Sequence, residues 1–105
     1  MKLIITIVNS DDSHTLLNEL NHNGYTVTKL ATTGGFLRSG NTTLLTGVED
    51  EKVDEVIKII ESKCQVRKQI TTTMLPVSGV MPFPIEVEVG GATVFVIDIE
   101  KYLKL

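Results

Sequence analysis

Apolar residues recur along the first part of the chain with two different periods. Lys2–Asn9 is almost unbroken leucine, isoleucine and valine, which predicts a strand buried on both faces. Residues 10–13 offer side-chain oxygens that can cap a helix, and leucines then recur at helical spacing over residues 13–23. Gly24 is typical of the residue that ends a helix. The sequence therefore begins with a predicted strand and helix.

A hairpin and a second helix are predicted next. Residues 25–33 and 42–49 are rich in β-branched side chains, and the glycine-containing loop between them favours an antiparallel pair. Acidic residues at positions 49–51 suit the start of a helix, because the helix dipole favours negative charge there. Apolar side chains then recur at helical spacing, which predicts a helix over residues 50–63.

The last third of the chain predicts strands around a proline-rich loop. Residues 65–73 should be extended, and residues 75–84 hold all three prolines and should form a loop. Residues 85–89 and 92–99 are then expected to form a closing hairpin that turns at Gly90-Gly91. The final residues, 100–105, are expected to form a last helical turn.

This order, β-α-β-β-α-β, predicts a single α+β domain over residues 1–105, with a ferredoxin-like sandwich and an extra closing hairpin. A sheet with one face in water should alternate apolar and polar residues, but residues 3–8 and 94–97 are apolar on both sides. Something must therefore cover the second face of the sheet. Another copy of the chain is the simplest candidate, so we expect an oligomer with ligand clefts between subunits.

Composition narrows the function classes. The 105 residues carry a formal net charge of −3, which argues against binding to nucleic acid polymers or anionic membranes. A single cysteine, Cys64, rules out an intramolecular disulfide and favours a reducing, cytoplasmic compartment. The apolar run at the N-terminus is too short for a membrane span and lacks the cleavage site of a signal peptide.

Residues that could carry chemistry are few. His14 and His22 lie on one predicted helix without an evident third metal ligand, so surface positions are the simplest interpretation. Cys64 has no histidine nearby in sequence and is expected to be a buried structural thiol, while Asp11 and Asp12 are interpreted as capping residues. No nucleophile–base pair can be named, so the chain is not expected to be an enzyme, and no metal or cofactor is expected.

The loop after the second predicted strand is the strongest candidate for a binding site. Gly34 and Gly35 permit backbone conformations closed to other residues, and Phe36 and Leu37 follow where a hairpin tip should be polar. An aromatic ring there can support a nucleobase by stacking. Arg38 could neutralise a phosphate, although a solvated loop position explains it equally well.

The sequence VTKLATTGGFLRSGNTTLLTGVED, residues 27–50, closely resembles the corresponding stretch of the PII-like cyclic-di-AMP receptor proteins. EVEVGGATVFV, residues 86–96, is similar to their closing hairpin, and the resemblance extends over nearly the whole chain. It implies a homotrimer that binds cyclic di-AMP in clefts between subunits, without catalysis. The positions that it implies as pocket residues are Thr28, Gly35, Phe36, Leu37, Asn41 and Gly47, with Gly91 and Ala92 from the adjoining subunit.

The resemblance also implies that two loops, residues 36–41 and 73–84, rearrange on binding and report to an unidentified downstream protein. The second loop is shorter than the family pattern, and Thr26 stands where an arginine is common. Two alternatives stay open beside the cyclic-di-AMP receptor. One is a PII-like protein for ATP, ADP or another adenine nucleotide, and the other is a structural or metal-tolerance trimer that uses His14 and His22.

Overall fold

The computed structural model describes residues 1–30, 40–72 and 84–105. It shows an α+β domain in which two helices alternate with strands, as the sequence predicts. In chain order, the elements are β1 (Lys2–Asn9), α1 (Ser10–His22), β2 (Val27–Leu30), β3 (Asn41–Val48), a short 3-10 turn (Asp50–Lys52), α2 (Val53–Lys63), β4 (Arg67–Thr72), β5 (Pro84–Val89) and β6 (Ala92–Asp98).

Four of the strands form an antiparallel sheet in the order β2-β3-β1-β6. Both helices lie on one face of this sheet, because their apolar stripes join the strands in one buried cluster. This is the ferredoxin-like sandwich that the sequence predicts. Its core contains Ile4, Val8, Leu16, Leu20, Leu44, Val48, Val56, Ile60 and Cys64.

The remaining two strands form the β4–β5 arm, residues Arg67–Thr72 paired with Pro84–Val89. The prediction that residues 85–89 and 92–99 pair as a hairpin is wrong. Instead, β5 pairs with β4, whereas β6 pairs with β1. The physical reason lies in composition. The edge of β1 needs an apolar partner, which β6 supplies, whereas β4 begins with Arg67, Lys68 and Gln69. Gly90-Gly91 is therefore a corner between two sheets.

The sheet has an open face that no described helix covers. Alternation along β1 sends Ile4, Thr6 and Val8 into the core and turns Leu3, Ile5 and Ile7 to the other side. In register with them on β6 are Phe95 and Ile97, which remain 51% and 47% exposed. Strand β1 thus carries apolar side chains on both faces, as expected. Within the single chain, however, only one of these faces is fully buried.

The start of α1 and the last residues of the chain differ from the expectations. Helix α1 begins at Ser10, and its cap is Asn9, whose side chain accepts a hydrogen bond from the Asp11 amide at 2.8 Å. Asp11 and Asp12 are therefore not the capping residues, because Asn9 already has the extended backbone that a cap requires. The last six residues, 100–105, form no helical turn, since too few residues remain to close one against the core.

Candidate functional site

A polar cleft lies at the end of the sheet where β1 finishes and where β3 and β6 begin. It encloses about 150 Å³ between the start of α1 on one side and the Gly90-Gly91 corner on the other. Its lining combines asparagine side chains with exposed glycine backbone. The residues that line it are Ile7, Val8, Asn9, Asn41, Gly90, Gly91, Ala92 and Thr93.

Hydrogen bonds tie one wall of the cleft to the helix start. The Ser10 amide donates to the Gly40 carbonyl at 2.8 Å, and the Ser10 and Thr42 hydroxyls lie 3.0 Å apart. Asn9 faces Asn41 in the register of β1 and β3. The cap of α1 and the first residue of β3 are therefore held side by side, and Asn41 is exposed with both a donor and an acceptor.

The opposite wall is a corner that only glycine can form. Gly90 and Gly91 have φ angles of +91° and +79°, which L side chains rarely adopt. A Cβ atom on Gly90 would lie 2.4 Å from the Gln65 carbonyl oxygen and 2.8 Å from the Arg67 guanidinium. A Cβ on Gly91 would lie 2.9 Å from the Val66 side chain. The corner is thus packed directly against the chain that leads into β4.

An ion pair stands behind this corner. Arg67 donates from its two terminal nitrogens to the two Asp12 oxygens at 2.8 and 3.3 Å, and also to the Gln65 carbonyl at 3.2 Å. The Asp12 side chain is 9% exposed and that of Arg67 is 48% exposed. The hydrogen bond to Asp12 raises the pKa of Arg67. Asp12 therefore pairs with the base of the arm rather than capping its helix.

The pocket residues implied by the sequence fall into two groups on this chain. Asn41, Gly91 and Ala92 line the cleft together. Thr28 and Gly47 lie farther along the open face, where Thr28 faces Leu45 in the register of β2 and β3. Gly47 is six residues from Asn41 along β3, a distance of roughly 20 Å at the rise of an extended strand.

Three of the predicted pocket positions, Gly35, Phe36 and Leu37, lie outside the described residues. At Gly47, a Cβ atom would make ordinary contacts with the Met1 and Ile99 side chains at 3.7 and 3.8 Å. A larger side chain there would therefore extend over the open face without a backbone clash. This matters for testing, because a substitution at Gly47 can be made without disturbing the fold.

Sequence reasoning missed Asn9, Gly90 and the pairing of Asp12 with Arg67. An asparagine between a strand and a helix is a recognisable capping signal, and it could have identified Asn9. Asp12 and Arg67 are separated by 55 positions, and nothing in the spacing of charges along the chain indicates that they meet. Gly90 was interpreted only as part of a turn.

The other candidate residues do not line this cleft. Cys64 is buried, as predicted, and its burial raises the pKa of the thiol to about 11, with a smaller contribution from the nearby Asp12 carboxylate. His14 and His22 are both exposed on α1. Within residues 1–30, 40–72 and 84–105, we found no cluster of three or more metal-ligating side chains.

Fold and cleft together define a small ferredoxin-like domain with a small polar opening at one end of its sheet. Residues 1–105 match the family model described as cyclic-di-AMP receptor, and the chain belongs to that family. The chain is also similar to a solved structure described as a functionally unknown protein from Pediococcus pentosaceus ATCC 25745. The two share 40% sequence identity with a TM-score of 0.76, over 99% of this chain and 96% of that chain.

Membrane association through a helix finds no support in the described part of the chain. Neither α1 nor α2 combines the length and the apolar character that crossing a bilayer requires.

Proposed function

We propose that this protein is a non-enzymatic, cytoplasmic receptor that binds cyclic di-AMP in clefts between the subunits of a homotrimer. The family match over the whole chain carries the proposal. The cleft is consistent with it: the resemblance implies Asn41 from one subunit and Gly91 and Ala92 from the adjoining one, and all three positions lie at this end of the sheet. The binding event is reported by rearrangement of residues 36–41 and 73–84 to a downstream protein.

The open face of the sheet supports assembly. Phe95 and Ile97 are about half exposed, and they lie beside the row of aliphatic side chains that β1 turns to this face. A contiguous apolar face of this kind is unusual on a monomer and is typical of an interface. Packing the sheets of three copies around a common axis buries these side chains in the centre of the trimer.

The separation of the predicted pocket residues supports a cleft between subunits. The resemblance implies that one subunit contributes the residues of β2 and β3, whereas Gly91 and Ala92 come from its neighbour. On one chain Thr28 and Gly47 lie far along the sheet from Gly91 and Ala92, so one chain presents two parts of a site. In a ring with head-to-tail contacts, one surface of each subunit meets a different surface of its neighbour. Such a contact brings the two parts together and encloses a ligand larger than the cleft of one chain.

Cyclic di-AMP has chemistry that suits these groups. Its adenine edges can pair with the amide of Asn41, which offers both a donor and an acceptor. Its faces can stack on Phe36, a contact worth about 1–3 kcal/mol per base in other proteins. The glycine corner allows the ligand to approach the backbone closely. A ligand shifts the equilibrium between two loop arrangements only by as much as it binds one arrangement more tightly than the other.

The deciding experiment is calorimetric titration of the purified protein with cyclic di-AMP, with cyclic di-GMP and ATP as controls. We expect about one cyclic di-AMP per subunit and no binding of either control. Binding of ATP instead would favour the adenine-nucleotide alternative. Absence of all binding would refute the proposal, and a monomeric mass in light scattering at micromolar concentration would refute the trimer.

Gly47→Val tests the position of the pocket. We expect this variant to remain folded and trimeric but to lose cyclic di-AMP binding, because the branched side chain projects over the open face near Thr28. Gly24→Ala is a suitable control, since Gly24 lies at the far end of α1 with open space around it. Wild-type affinity in Gly47→Val would show that the pocket lies elsewhere.

A further inference from the structure

We infer that Asp12 and Arg67 are positioning residues for ligand binding, and that their ion pair sets the width of the cleft by holding the Gly90-Gly91 corner in place. The inference rests on the proposed function, and it assigns a role to a contact at the rim of the same site. Neither residue lines the cleft itself. They act through the backbone behind its two walls.

The first step is the link between the ion pair and the corner. Arg67 donates to the Gln65 carbonyl as well as to Asp12, so its guanidinium fixes the chain that enters β4. The backbone of Gly90 approaches this same carbonyl and guanidinium so closely that no Cβ fits. At Gly91 the close neighbour is the Val66 side chain rather than backbone, so Gly90 is the more tightly held of the two. Displacement of Arg67 must therefore displace the corner.

The second step is the link between the ion pair and the opposite wall. Asp12 lies in the first turn of α1, three residues after the Asn9 cap that lines the cleft. A helical turn is rigid over that distance, so Asp12 and Asn9 move together. The ion pair thus connects the two walls of the cleft from behind. Asp12 belongs to α1, and Arg67 lies against the glycine corner.

The third step is the strength of the contact. Two parallel hydrogen bonds between a guanidinium and a carboxylate fix both distance and orientation. The Asp12 side chain is 9% exposed, so solvent screens the pair less than it would screen one on the open surface. The other ion pair from α1, between Glu19 and Lys63, has a single separation of 3.9 Å and two side chains that are more than one-third exposed.

A consequence is that the cleft and the β4–β5 arm move together. Arg67 is the first residue of β4, and β4 leads into residues 73–83, which belong to one of the two segments proposed to respond to the ligand. A ligand that presses on Gly91 pushes against the base of the arm. The ion pair is therefore placed to couple occupancy of the cleft to the direction of the arm.

The test removes both charges, with Asp12→Asn and Arg67→Gln combined in one variant. Removal of both partners avoids leaving a buried carboxylate alone, which would threaten folding. The matched control combines Glu19→Gln with Lys63→Gln, which likewise removes one carboxylate from α1 together with its cationic partner. Each protein is titrated with cyclic di-AMP, and hydrogen exchange is followed at the amides of residues 90–93.

We expect the Asp12/Arg67 variant to bind cyclic di-AMP at least about tenfold more weakly, because a looser cleft must be ordered on binding. Its amides at residues 90–93 should exchange faster even without ligand. The Glu19/Lys63 control should match the wild type in both measurements. Arg67→Lys should lie between, since lysine keeps the charge but not the paired donors.

The outcomes separate the two proposals. Wild-type affinity and exchange in the Asp12/Arg67 variant would overturn the inference while leaving the proposed function intact. Failure of the wild type to bind cyclic di-AMP would refute the proposed function. In that case the exchange measurement alone decides whether the ion pair holds the corner. Equal effects in the variant and the control would show only a general loss of charge pairing and would also overturn the inference.

Discussion

The four-stranded sheet and the β4–β5 arm are both antiparallel, but they are held in place by different forces. The sheet packs its inner face on two helices, where side chains such as Ile4 and Leu44 are fully buried. Among the described residues, the two strands of the arm pair with each other and with no other strand. The polar Asp12–Arg67 contact holds the base of the arm. The molecule is correspondingly elongated, with a radius of gyration of 17.3 Å, whereas a compact chain of this length would have about 13 Å.

Under the proposed function, the difference lets one chain combine a rigid frame with a part that responds to a ligand. Isolated two-stranded ribbons are only marginally stable in water, so the arm depends on what its base contacts. The cleft lies where frame and arm meet, at the Gly90-Gly91 corner. A ligand at that point contacts both regions, while the apolar core need not change.

Leu44→Ala tests the frame and should have the largest effect. The Leu44 side chain is completely buried between the sheet and the helices, so its truncation should lower the free energy of unfolding by about 2–5 kcal/mol. Glu88→Ala on the exposed surface of the arm should change it by less than about 0.5 kcal/mol. Urea denaturation measures both. If the two variants lost comparable free energies of unfolding, the protein would depend on the exposed surface of the arm as much as on the buried core of the frame.

The sequence was sufficient to predict three of the four strands of the sheet and both helices, because burial imposes periodicity. Lys2–Asn9 was predicted to be a strand with the bounds that the structure has, and both helices were located from apolar spacing. The fourth strand of the sheet was not predicted correctly. The sequences of residues 65–73 and 92–99 both predict strands, and either could pair with the edge of β1. The more apolar segment, residues 92–99, is the one that joins the sheet.

The candidate site stays a prediction from resemblance. The resemblance implies Asn41 from one subunit and Gly91 and Ala92 from the adjoining one, and within a single chain the three residues line one cleft. The contacts behind the cleft depend on tertiary geometry, since Asp12 and Arg67 are brought together by the turn of the chain after α2. No local pattern records such a pair, because the spacing between its members is set by the elements that intervene.

Gly90→Ala sharpens the comparison at the junction of frame and arm. Gly24 and Gly90 have nearly equal φ angles of +89° and +91°, but only Gly90 lacks space for a Cβ atom. We expect Gly24→Ala to cost about 1 kcal/mol from the backbone conformation alone. Gly90→Ala should cost at least about 2 kcal/mol, because the added carbon meets a backbone carbonyl as well.

Urea denaturation of the two alanine variants gives these free energies, and calorimetry with cyclic di-AMP gives their affinities. Gly90→Ala should weaken binding while Gly24→Ala should not, because only the first lies in the cleft wall. Equal losses of stability in the two variants would mean that the corner can shift away from Gln65 without cost, and that the arm is less firmly fixed than the contacts indicate.

Cys64 provides the smallest and most specific test, because it ends α2 and begins the chain that leads to the arm. Burial raises the pKa of its thiol from 9.0 to about 11, so the unfolded chain loses this proton first as the pH rises. The stabilising contribution is complete below pH 9 and declines as the pH rises towards the folded pKa. Between roughly pH 8 and pH 10 the wild type should lose about 1.4 kcal/mol more than Cys64→Ser, in which no thiol titrates. Urea denaturation of both proteins at each pH measures this difference, and other titrating groups cancel between them. Parallel pH profiles would show that the thiol is ionised as easily in the folded protein as in the unfolded chain, and that water reaches the junction between frame and arm.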